Sequence, residues 1–170
     1  CDRITRDPTN GQLVNVFQSY LNLSQAATKG TDLEISWQTE PDFFSNESET
    51  FSLRWLGARL TEASTTPFGG TARDSAGGLG TPKYTHVLTM NYGIGAYGIQ
   101  LQNRFVDSTL RNVDWVEGID VDDNSVASMS WWNARVSYSG ELNNGSTWSL
   151  NLNVQNLFDQ EPPIVPNFDT

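Results

Sequence analysis

From Thr147 to Val154 the chain alternates strictly, with Trp148, Leu150, Leu152 and Val154 apolar and Ser149, Asn151 and Asn153 polar. A period of two sends these sets to opposite faces of a strand. Asn156-Leu157-Phe158-Asp159 and Pro162-Pro163 end the pattern with turn formers and residues that cannot donate to a ladder. The same rhythm recurs upstream. Leu33, Ile35 and Trp37 alternate with Asp32, Glu34, Ser36 and Gln38. Phe51, Leu53 and Trp55 oppose Ser52 and Arg54 in a strand reaching about Leu60. Leu88, Met90 and Tyr92 share a parity between about Lys83 and Tyr92, and Tyr97, Ile99, Leu101 and Phe105 face away from Gln100, Gln102 and Arg104. Trp132, Ala134, Val136 and Tyr138 are set against Trp131, Asn133, Arg135 and Ser137. With the less regular run Leu13 to Leu23, where broken parity suggests a bulge or an irregular end, the pattern predicts an all-β antiparallel meander of about seven long strands.

The connections predict a second regularity. Ser24 to Lys29 reads as a polar turn, and TEPDFFSNES as an intermediate one with Phe43 and Phe44 as interfacial anchors. Thr61 to Pro82 is rich in Gly, Ser and Thr and reads as a long strandless loop. Gly93 to Ala96 is very short, Asp107 to Ser128 is the longest insertion, and Asn143-Asn144-Gly145 is short again. In a meander, alternate connections lie at the same end of the sheet, so the long loops gather at one rim. That is the habit of outer-membrane barrels. Trp37, Trp55, Tyr92, Tyr97, Trp132, Tyr138 and Trp148 then read as an aromatic girdle near strand ends on the apolar face, and otherwise as core aromatics. A soluble β-sandwich binding module, for example for carbohydrate, uses the same alternation, although its turn signals recur at shorter spacing, about 8–12 residues.

Composition narrows the choice. Mean hydropathy is −0.44 and no apolar run approaches the roughly 18 residues of a membrane helix, whereas barrel strands give only alternate residues to lipid. A net charge of −10 argues against nucleic acid as a partner. Lys29 and Lys83 are the sole lysines, although the solvent face of a soluble sandwich is usually rich in lysine. The polar strand faces carry Asn, Gln, Ser and Arg instead, as a lumenal surface would. The single cysteine, Cys1, reads as paired with an upstream residue or as a free thiol. Arg59 falls on the apolar parity near a strand end, where it either snorkels to a lipid phosphate or is an ordinary exposed arginine.

Several motifs fail on inspection. Gly93-Ile94-Gly95-Ala96-Tyr97-Gly98 is a literal G-x-G-x-x-G, but strand rather than helix follows, so it reads as a hairpin turn. Asp120, Asp122 and Asn124 match the start of an EF-hand loop, yet Ser125 replaces the glycine and Trp131 the bidentate glutamate, which leaves at most a looser oxygen-ligand site. His86 is the only histidine and has no nucleophile motif beside it, so it reads as a strand residue with an ordinary partner. No enzyme, cofactor or resident metal is expected.

NLFDQEPP resembles the penultimate-strand ending of TonB-dependent outer-membrane receptors. CDRITRDPTNG followed by TKGTDLEISW, and Leu79-Gly80-Thr81-Pro82-Lys83 before a strand, are similar to further segments of that family in the same order. The resemblance implies a bacterial outer-membrane barrel of roughly 22 strands with a plugged lumen. It also implies import of a scarce ligand (iron chelate, cobalamin or saccharide), powered by the inner-membrane TonB complex. Residues 1–170 are then expected to form part of the barrel domain, with the plug, the amino-terminal strands and the last strand outside them. Parity places Arg54, Gln100, Arg104, Arg135 and Asn153 toward the lumen. Arg104, Arg135, Trp131 and the acidic-loop residue Asp122 are the candidate ligand contacts; outer-membrane lipid is the other expected partner.

Overall fold

A computed structural model describes residues 4–16, 24–44 and 47–165. The strands, in chain order, are β1 (Ile4–Arg6), β2 (Leu13–Val16), β3 (Ser24–Thr39), β4 (Glu49–Pro67), β5 (Arg73–Asp74), β6 (Tyr84–Ile94), β7 (Tyr97–Val106), β8 (Thr109–Leu110), β9 (Ser125–Val126), β10 (Met129–Glu141) and β11 (Thr147–Val154). Seven of them form one antiparallel sheet in the order β11-β10-β7-β6-β4-β3, with β5 added beside β4. The predicted all-β meander is what the chain forms. No second layer of the large sheet covers either of its faces among the described residues.

Three sequence expectations need correction. Ser24 to Lys29 is not a turn: it opens β3 and pairs with Glu62 to Pro67 of β4. Thr61 to Pro82 is not strandless, because β4 runs to Pro67 and β5 pairs back with Ser64 and Thr65. Trp55 is therefore central in β4 rather than close to its end. One physical cause lies behind all three. The β3–β4 ribbon rises past Arg59, where β6 begins to pair, and backbone pairing together with the Lys29–Glu62 ion pair holds it there without an apolar face. The register slips between Lys29 and Gly30, and a Cβ on Gly30 would stand 2.7 Å from the Arg59 carbonyl oxygen, so the bulge requires glycine.

Within the expected first strand, Leu13–Val16 pairs with β1 in a separate hairpin rather than joining the large sheet; the rest of that run, like Cys1, lies outside the described residues. The rims behave as expected. Residues 40–44 and 47–48, Gly95-Ala96 and 142–146 close one rim, and the segments 68–83 and 107–128 stand at the other. Gly95, at φ 52°, makes the two-residue turn that the G-x-G-x-x-G string suggested. At the long-loop rim the NLFD segment folds back on β10. Asn156 adopts φ 51°, its Oδ1 accepts from Gln160 N (3.0 Å), and its own N–H donates to Asn133 Oδ1 (3.0 Å). Asparagine tolerates the left-handed conformation that this turn needs.

Candidate functional site: two faces of one sheet

Because each strand alternates, the register assembles two unlike surfaces. One carries rows of apolar side chains such as Leu53-Met90-Leu101-Ala134 and Phe51-Tyr92-Ile99-Val136. Much of it is uncovered, with Leu150 68% and Ile35 51% exposed. The rows run from Tyr97 and Tyr138, whose ring centroids lie 4.7 Å apart, to Arg59, Tyr84 and Asp107. Along β7 the separation from Tyr97 to Asp107 is about 34 Å at ~3.4 Å per residue. Strands tilted by about 40° turn that into a band ~26 Å tall, close to the ~25 Å apolar belt of a transmembrane barrel. Tyr97, Tyr138 and Trp148 hold the short-turn boundary, and Tyr84 and Phe105 the other.

The opposite face is built from carboxamides, hydroxyls and a few charges. Hydrogen bonds run sideways across its strands: Gln100 Nε2 donates to Asn91 Oδ1 (2.7 Å), and Asn91 Nδ2 to Ser52 Oγ (3.1 Å). Arg54 Nε donates to Glu34 Oε1 (2.7 Å). Gln100, Gln102, Asn133, Arg135, Asn153 and Gln155 line a hollow of about 180 Å³. Of the candidate ligand residues, Arg104 and Trp131 are brought together, paired across β7 and β10 with the Arg104 guanidinium carbon 5.5 Å from the indole centroid. That is a cation–π distance, and it holds the charged fork in a fixed orientation on the wall. Arg135 shares the face but is engaged, donating from Nε and Nη2 to Asn151 Oδ1 at 3.2 and 2.7 Å. Asp122 stands apart from these three, exposed in the long loop.

That loop is folded. Asn124, 1% exposed, is its hub: Nδ2 donates to the carbonyls of Asn112 (2.8 Å) and Trp115 (3.2 Å), and Oδ1 accepts from Asn112 N (3.1 Å). Arg73 laces the two long loops together through Asp114 Oδ2 (2.6 Å) and Asn112 Oδ1 (3.0 Å). Asp120 accepts from Val116 N, and Asp123 from the Ser125 hydroxyl and N–H. The hydroxyl first, and then the amide, hold the Asp123 carboxyl below the usual aspartate range. These carboxylates secure turns. No cluster of three or more metal-ligating side chains is drawn together among the described residues.

The sequence pattern did not reveal how the polar residues of the apolar face pair. On the apolar face Asn103, 5% exposed, accepts from His86 Nε2 (3.1 Å) and donates to Ser130 Oγ (2.9 Å). Its parity with Leu101 and Phe105 was a visible signal; its partners emerge only from the register. His86 does have the ordinary partner expected of it.

The model of the TonB-dependent receptor-like β-barrel family matches residues 2–157. The chain belongs to that family. Neither a search of curated proteins nor one of solved structures found a match. The TonB-dependent receptor barrel is that of an outer-membrane receptor and transporter, which binds and passes a ligand rather than transforming it. In such a barrel the apolar rows meet lipid and the carboxamide face lines the lumen.

Proposed function

We propose that this chain forms part of the wall of a TonB-coupled importer in the bacterial outer membrane, taking up an iron chelate, cobalamin or a saccharide. The observation that carries the reading is the pairing of an apolar band of membrane height with a hydrogen-bonding opposite face on a single sheet layer. Among the described residues β3 and β11 have no further partner strand, and this supports a larger closed barrel, of roughly 22 strands in this class of transporter, because an open edge does not persist in hydrocarbon. The domain to which residues 1–170 contribute then includes a plug and further strands beyond them. Arg104 and Trp131 are the leading ligand contacts, Arg135 lines the path below them, and Asp122 meets the ligand in the outer loop. The partners are a small-molecule ligand and the TonB complex of the inner membrane.

The test is uptake by the complete receptor in cells, using labelled ferric chelate, cobalamin and maltodextrin as probes. One probe is expected to accumulate only when TonB is present, and Arg104→Ala with Trp131→Ala is expected to lower its uptake about ten-fold or more, by loss of a charged and a stacking contact. Uptake that is indifferent to TonB would overturn the coupling; uptake unchanged in the double variant would overturn the contact residues.

A further inference from the structure

A cleft of about 800 Å³ opens at the long-loop end of the apolar band, lined by Arg59, Leu60, Thr61, Lys83, Tyr84, Phe105 and Asp107. Its height is set by the register, since Arg59 pairs with Tyr84 and Asp107 N donates to Tyr84 O (3.0 Å). This is the row at which the apolar belt ends. Tyr84 and Phe105, with centroids 6.0 Å apart, give one wall an aromatic surface. Among the described residues neither Arg59 nor Lys83 takes part in an ion pair; the pairs described there are Lys29–Glu62, Arg54–Glu34 and Arg73–Asp114. The Lys83 stem lies across Gly77, where an added Cβ would come within 2.9 Å of Lys83 Cε, so its direction is constrained. The one carboxylate in the cleft, Asp107, is turned toward its own loop, with Oδ1 accepting from Ser108 N (2.8 Å).

Two cations in no ion pair among the described residues, beside an aromatic wall at the edge of a lipid-directed face, complement one kind of ligand. We infer that the cleft binds the phosphate headgroup of an outer-leaflet anionic lipid. Arg59 supplies a planar fork matched to phosphate oxygens, Lys83 adds a second positive charge, and Tyr84 and Phe105 pack against the first carbons of the lipid. The site lies on the outside of the wall, separate from the lumenal pair Arg104 and Trp131. It rests on the lipid-directed reading of the apolar face and not on any ligand or on energy coupling.

The complete receptor, reconstituted in phosphatidylcholine nanodiscs doped with phosphatidic acid, tests this by the phosphatidic acid it retains on native mass spectrometry. Arg59→Gln and Lys83→Gln are each expected to lower retention about five-fold, the worth of one basic residue at a membrane surface, with a larger loss in the double variant. Arg59→Lys is expected to keep most of it. Arg54→Gln, on the lumenal face, is expected to leave retention unchanged, and heat-dependent electrophoretic mobility reports whether each variant is folded. Retention unchanged in a folded double variant, or lowered equally by Arg54→Gln, overturns the site. Displacement of the lipid by inorganic phosphate alone assigns the cleft to free phosphate and overturns the lipid. Failure of TonB-dependent uptake leaves this measurement untouched, so the two readings fail separately.

Discussion

The two faces of the large sheet share every backbone hydrogen bond and differ in almost everything else. On the apolar face neighbouring side chains meet as rings and aliphatic groups, and its polar exceptions, His86-Asn103-Ser130 and Tyr92-Glu49, are hydrogen-bonded among themselves. On the lumenal face the contacts are hydrogen bonds that run across strands, from Gln100 to Asn91 to Ser52 and from Arg135 to Asn151. A period of two therefore lets eight or more consecutive residues serve two solvents, and the same substitution should carry opposite weight at adjacent positions.

The sharpest way to break that comparison is a charge placed at mid-height. Leu101→Arg is expected to destabilise the complete receptor by ~2–4 kcal/mol, as arginine does at the bilayer midplane, whereas the adjacent Gln102→Arg should stay within about 0.5 kcal/mol. Reversible urea unfolding in lipid vesicles measures both, and equal costs would refute the assignment of faces. A smaller effect is expected at the exception. Asn103→Leu leaves His86 Nε2 and Ser130 without their partner and should cost about 1–3 kcal/mol, while adding His86→Phe should recover part of it, since removing both partners costs less than orphaning one. Additive losses in that cycle would show that the two side chains do not act as a pair. The smallest effect belongs to neither face. Asp123 has a lowered pKa in the folded loop, so its contribution is complete above the ordinary aspartate value of about 3.9 and fades only as pH falls below that, through the depressed value. Amide exchange at Ser125 should accelerate over that acid range and not between pH 5 and 8; acceleration at neutral pH would contradict it.

The spanning strands were legible because lipid and lumen demand strict alternation, and so were the two classes of connection. The rising parts of β3 and β4 were not. SQAATK and TEASTTP hold no large apolar side chain, so no solvent boundary writes a period into them, and only the partner strand reveals that they are extended. The site was readable in the same measure. Parity alone put Arg104, Arg135 and Trp131 on one face, but the meeting of Arg104 with Trp131 depends on register. Asn124 looked like one polar residue among acids, and its burial follows from loop closure that local sequence does not encode. Arg59 was visible as an anomaly; the cleft around it required β6 to begin where it does.

The two-residue turn at Gly95-Ala96 has a consequence for how the sheet comes into being. Closing the 22-residue connection between β7 and β10 costs roughly 2 kcal/mol more chain entropy than closing that turn, since the cost grows with the logarithm of loop length. The β6–β7 hairpin is thus the cheapest place to nucleate, and every later strand is the chain's own neighbour of one already placed. Growth can proceed outward in both directions without threading.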